Sequence, residues 1–357
     1  MSSAKAVAFL QRIGVAHPLI QAPMAGTSTP AMAAAVSNAG ALGSIGIGAA
    51  DAAKTRKMIQ SVKALTDKPY NVNVFVHEDP APDAARDARW IEFLRPEFER
   101  LGGAPPTALK TVYQSFASDK ATLDVLLEEK PPIVSFHFGL PPASTIAALK
   151  GYGATLFATA TSLAEARAVE AAGVDAIVAQ GIEAGGHRGA FDDNAPDDQL
   201  GMYTLVRLLV KNCNIPVIAA GGIMDGAGIR GVLDLGAAAA QLGTAFIGCD
   251  ESDADEGYRA ALAGPAAEHT RLVNVVSGRR ARSLATSWTA IAAAGALPVA
   301  SYPNAYDIGK QLTALAKSKG NHSYGAYWAG QGAPLSRPMP AAQLVETLLK
   351  ELAATQL

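Results

Sequence analysis

The sequence holds only two cysteines, Cys213 and Cys249, far apart and in no C-x-x-C pair. That argues against a disulfide framework and against a cysteine zinc site. No run of about 18 apolar residues occurs. The N-terminal stretch lacks the sustained apolar core and small-residue cleavage site of a secretory signal, so a cytoplasmic protein with no membrane span is expected. Charge is scarce as well: charged residues are 17% of the chain and the net charge is -2. Without a basic surface, nucleic acid is not an expected partner.

What is present is a repeat of strand, loop and helix. Short apolar runs at 18–22, 42–46, 70–76, 133–138, 155–159, 176–180, 216–220 and 238–242 each stop at a polar or glycine-rich turn. Helix-length segments separate most of them, which is the pattern of parallel strands joined by crossovers. Eight such strands predict an α/β fold, a (β/α)8 TIM barrel over residues 1–249. A lid insertion at about 77–131 interrupts the repeat after the third strand, and long insertions there usually cover the active face. After the eighth strand the pattern changes, predicting a smaller accessory α/β region over 250–335. A last helix within 336–357 is expected to return to the barrel.

Functional residues of such barrels collect where strands end. Gly221-Gly222 and Gly243-Thr244 end two successive strands, and glycines there let backbone N–H groups approach an anion closely. A phosphate-bearing ligand is the expectation, with tight turns as the bland alternative. His187 follows Gly185-Gly186 in the loop after the sixth strand and is the candidate catalytic residue, with His137 in reserve. On the third strand Asn71, Asn73 and Phe75 share one face, and Asn73 offers an amide to a ligand. Tyr113 and Phe116 are placed to reach the pocket from the insertion. Tyr306 and Lys310 share a helix face, with Tyr302 just upstream; that face either holds a substrate anion or is an ordinary surface. The G-x-G-x-x-G spacing at 226–231 follows a turn already made by Gly221-Gly222, so it reads as helix packing rather than a dinucleotide site. The aspartates Asp192, Asp193, Asp197 and Asp198 read as a solvated loop, and no metal site is expected.

Several segments together carry a family resemblance: Gln21-Ala-Pro-Met-Ala-Gly26, Ser135-Phe-His-Phe-Gly139, Gln180-Gly-Ile-Glu-Ala-Gly-Gly-His-Arg-Gly189, Ala220-Gly-Gly-Ile223, Gln241-Leu-Gly-Thr244 and Tyr302-Pro-Asn-Ala-Tyr306. The chain resembles the class I nitronate monooxygenases, formerly 2-nitropropane dioxygenases, over nearly its whole length. The resemblance implies FMN bound by Asn73, Gln180, Gly185, Gly221, Gly222, Gln241, Leu242, Gly243 and Thr244. It implies that Pro23, Met24 and Ala25 approach the flavin ring. It also implies a catalytic His187, with Tyr302, Tyr306 and Lys310 on the substrate side, where position alone already puts His137 and Tyr113. The implied reaction oxidises propionate 3-nitronate or alkyl nitronates with O2, giving carbonyl compounds and nitrite. Part of the pattern is shared with flavin-dependent enoyl-acyl-carrier-protein reductases, so a NAD(P)H-dependent flavin reductase stays open; a non-flavin phosphate-binding barrel is more remote. The sequence leaves the oligomeric state open.

Overall fold

The computed structural model describes residues 4–295 and 299–355. Eight parallel strands form the barrel: β1 (Leu19–Gln21), β2 (Gly43–Gly46), β3 (Tyr70–Phe75), β4 (Ile133–His137), β5 (Thr155–Ala160), β6 (Ala176–Gln180), β8 (Val217–Ala220) and β9 (Ala239–Leu242). They run in the order β1-β9-β8-β6-β5-β4-β3-β2. Leu42 N–H donates to Leu19 O at 3.0 Å and Gln21 N–H to Leu42 O at 2.9 Å, closing the sheet between β1 and β2. The expected α/β barrel is therefore the observed one.

The strands are buried on both faces, and alternation sorts their side chains. Outward residues such as Val72, Phe136, Ile177 and Leu242 pack under the outer helices. Inward residues Ile20, Ile133, Phe157, Ala176 and Ile218 fill the lower barrel. The helix Ala4–Ile13 plugs that end, its Phe9 ring 5.7 Å from Phe157. One step further along the strands, the inward positions become Asn73, Ser135, Thr159, Gln180 and Gln241, a polar ring around the floor of a chamber. Outer helices start at residues suited to capping: the side chains of Asp51, Ser162 and Asp225 accept the N–H groups of Lys54, Glu165 and Gly228.

The insertion divides in two. Its second helix, Lys120–Glu129, buries Val125 and Leu126 in the barrel core and lies on helix Ala52–Leu65, so it serves as the barrel's third outer helix. Phe116, expected at the pocket, is buried in that same core. Its first helix, Ala84–Arg100, instead shares a second core with the accessory region: Trp90, Leu94 and Phe98 pack with Trp288, Ile308 and Leu312. The first half of the insertion and the accessory region thus share one core.

The accessory region carries β10 (Thr270–Val273) and β11 (Ala281–Leu284), an antiparallel pair. β11 also pairs antiparallel with β7 (Gly186–His187), a two-residue strand in the loop after β6. Beyond β11 the chain turns into the helix Ser287–Ala293. The last helix, Ala341–Ala354, returns to the barrel and buries Leu344, Val345 and Leu348. A Cβ on Gly226 would lie 2.2 Å from Leu352 N, so the first glycine of the 226–231 motif is there for helix packing.

Candidate active site

The chamber at the strands' C-terminal ends has about 1370 Å³ of empty space, counting its open mouth. Pro23, Met24, Ala25, Asn73, Gln180, Gly185, Gly221, Gly222, Gln241, Gly243 and Thr244 line it, as do His137, His187, Tyr113 and Tyr306. Besides Phe116, three of the sequence candidates do not. Leu242 is 1% exposed and turned outward into the core, because its inward neighbour Gln241 takes the chamber side of β9. Tyr302 is buried behind the wall with its ring 5.7 Å from that of His187. Lys310 is exposed, its ammonium 4.5 Å from the Tyr113 ring and 5.7 Å from the Tyr306 ring, and it has no carboxylate partner among the described residues.

The glycines differ in purpose. Gly222 has φ +71°, a conformation that side chains resist, and the N–H groups of Gly222 and Gly243 meet no acceptor among the described residues. Free donors at the ends of β8 and β9 suit a phosphate. Gly185 is required by the protein itself: a Cβ there would lie 2.4 Å from Gly330 N. The helix after Gly243, Thr244–Ile247, is a single turn, and Thr244 Oγ1 accepts the Gly330 N–H at 2.9 Å.

His187 is clamped from three sides. Its carbonyl accepts from Gln180 Nε2 at 2.9 Å and lies 3.2 Å from His137 Nε2. Because a carbonyl only accepts, His137 carries its proton on Nε2, and its Nδ1 accepts from Thr159 Oγ1 at 2.9 Å. His137 therefore has both nitrogens committed to holding the His187 segment. Gln180 Oε1 accepts the Gly189 N–H at 2.7 Å, completing its hold on the loop. Next in the chain, Arg188 is 2% exposed and forks onto Asp197 at 2.9 and 3.0 Å, while Arg280 pairs with Asp193 at 2.9 Å. Two aspartates of the loop read as solvated are thus ion-paired, and Asp197 is buried beside His187's own segment.

Electrostatics keep His187 neutral. Burial pushes its pKa down to about 3, with His137 and the Arg279 cation adding to the effect. Burial likewise lowers His137 to about 4. Arg279 lies 4.3 Å over the Phe138 ring and donates to Ala190 O. Phe138 itself has φ +78°, which breaks the strand alternation and turns its ring toward His187 at 5.6 Å.

Two residues at the site were not singled out from sequence. Trp328 lines the chamber 5.2 Å from the His187 ring, and its indole N–H donates to Tyr306 Oη at 3.2 Å. Ser277 Oγ lies 2.9 Å from His187 Nε2. Both come from the accessory region, and neither sits in a motif that spacing would flag. Since Trp328 N–H occupies the Tyr306 oxygen, the Tyr306 proton is free to be donated into the chamber.

Fold and site define a (β/α)8-barrel enzyme with a ligand chamber between the strand ends and an accessory cover. The family model described as nitronate monooxygenase matches residues 8–351, and the chain belongs to that family, an oxidoreductase family of flavoenzymes. It is 60% identical to a nitronate monooxygenase of Paraburkholderia phytofirmans, over 97% of this chain and 94% of that protein. Identity to a nitronate monooxygenase of Pseudomonas aeruginosa is 52%, over 96% and 98%. The crystal structure of a nitroalkane oxidase from Streptomyces ansochromogenes superimposes with a TM-score of 0.89 at 39% identity, covering 98% of both chains.

Proposed function

We propose that the flavin is FMN and that the protein oxidises propionate 3-nitronate or alkyl nitronates with O2, releasing nitrite and a carbonyl compound. The observation that supports this reading is that N–H groups without acceptors at Gly222 and Gly243 share one chamber with a neutral histidine and a tyrosine donor. The residues fit the group: free N–H groups at Gly222 and Gly243 suit one phosphate, and Pro23, Met24 and Ala25 offer an apolar wall for a flat ring. When bound, FMN supplies the electron acceptance and the reaction with oxygen.

The chain's own contribution is positioning and proton control. Tyr306, its oxygen held by Trp328, donates to the oxygens of the nitro group. His187, kept neutral, accepts a proton when the substrate arrives as a neutral nitroalkane, and the negative charge forming beside it offsets the burial that otherwise disfavours the imidazolium. The name of the Streptomyces neighbour, a nitroalkane oxidase, supports that second substrate form. Lys310 stands outside Tyr113 and Tyr306 as a cation with no carboxylate partner among the described residues, and it attracts an anionic substrate. A cytoplasmic setting is part of the proposal; no helix among the described residues is long and apolar enough to cross a membrane. Chromatography of the cofactor released by heat tests the assignment: FMN alone is expected, and FAD or a colourless protein contradicts it.

A further inference from the structure

Ser277 is fully buried in the accessory region and does not line the chamber. Its Oγ lies 2.9 Å from His187 Nε2, 3.1 Å from Arg279 O and 3.3 Å from Arg279 N. A hydroxyl has one proton to give. Arg279 O can only accept, and among the described residues Ser277 is its one hydrogen-bond donor. Arg279 N–H can only donate. Every group is satisfied when Ser277 donates to Arg279 O and receives both Arg279 N–H and His187 Nε2–H. The reverse arrangement, with Ser277 donating to the imidazole, strips the carbonyl of its donor. His187 Nδ1 has no hydrogen-bond partner among the described residues, yet it is not one of their buried unpartnered polar atoms, so it opens on the chamber that His187 lines.

We propose that Ser277 is a positioning residue that fixes His187 as its Nε2–H tautomer, so that the unprotonated Nδ1 is the nitrogen presented to the substrate. The direction of every bond around the imidazole then has a cause. Gln180 and His137 hold its backbone, Ser277 holds its proton, and Trp328 leaves Tyr306 as the facing donor. With a neutral nitroalkane, the Cα–H bond breaks, its electron pair moves onto the nitro group to give the nitronate, and the proton goes to Nδ1. His187 becomes an imidazolium and returns the proton to water. A substrate supplied as the nitronate skips this step. The kinetic consequence rests on the nitronate reading above; the tautomer does not.

The test uses protein labelled with ¹⁵N-histidine, the His187 resonances being assigned by their loss in His187→Gln. The wild type should show a protonated Nε2 and an unprotonated, pyridine-like Nδ1. Ser277→Ala should lose this single-tautomer signature and Ser277→Thr should keep it. In parallel, Ser277→Ala should lose about tenfold or more in kcat/KM on nitroethane while changing ethyl nitronate by less than about twofold, with Ser277→Thr restoring the difference. A protonated Nδ1 in the wild type overturns the proposal even if Ser277→Ala does not fold, and equal losses on both substrates overturn it too. A wild type that turns over neither substrate contradicts the functional reading and leaves the tautomer to be judged by its resonances.

Discussion

Lys310 shows how far single residues were legible. Its spacing from Tyr306 predicted one shared helix face, and the ammonium does stand over the rings of Tyr113 and Tyr306, but outside the chamber wall. A cation there acts on capture more than on turnover. Lys310→Met keeps the stem and removes the charge, so kcat/KM for propionate 3-nitronate, a dianion, should fall by about tenfold, with a much smaller loss for ethyl nitronate. Equal losses in steady-state assays would remove Lys310 from substrate capture. His187 was legible because Gly185 and Gly186 set it apart from any helix. Ser277 and Trp328 were not: they reach the imidazole and Tyr306 through the accessory fold, and nothing local in the sequence marks a residue that meets its partner 90 positions away. Leu242 illustrates the opposite failure. A motif is carried over as a contiguous segment, whereas a strand sends alternate side chains to opposite faces, and only Gln241 of that pair faces the chamber.

At the scale of elements, the eight barrel strands and most helices were legible from apolar runs and their glycine and capping stops, since those signals are local. The two-residue strand β7 was not, because pairing with β11 rather than any sequence preference makes it a strand. The strand ends carry the proposed phosphate seat. Gly222 with φ +71° combines a backbone demand with a free N–H, so Gly222→Val strains the turn and moves the N–H on which the seat depends. The purified variant should retain less than about a tenth of the wild-type flavin, read from its visible absorbance against protein concentration. A folded, fully loaded variant would place the phosphate elsewhere.

At the scale of the molecule, the illegible feature is the shared core of insertion and accessory region. Trp90, Leu94 and Phe98 belong to one amphipathic helix, and amphipathicity does not say which surface it meets. That body, closing on the barrel, buries His77 and leaves His137 and His187 half-buried at the chamber. Burial lowers His77 and His137 to about 4 and His187 to about 3, against an ordinary value near 6.5. Below about pH 6.5 the unfolded chain takes up protons that the folded one refuses, so stability is fully present above that pH and is lost as pH falls toward 4. Each histidine contributes up to about 1.4 kcal/mol per pH unit in this window. The melting temperature should drop steadily from pH 6.5 to 4.5, and His77→Phe should make the slope shallower. A flat profile over that range would show that the histidines are not held neutral by the fold.

If the substrate itself is the reductant, oxygen-electrode traces with parallel nitrite determination register it without any added cofactor. In aerated buffer without any nicotinamide, propionate 3-nitronate or an alkyl nitronate should drive oxygen consumption and nitrite release, while NADH bleaches the flavin only slowly. Rapid reduction of the flavin by NADH, with nitronates leaving it oxidised, would rule out the nitronate as reductant and make this barrel a nicotinamide-dependent flavin reductase.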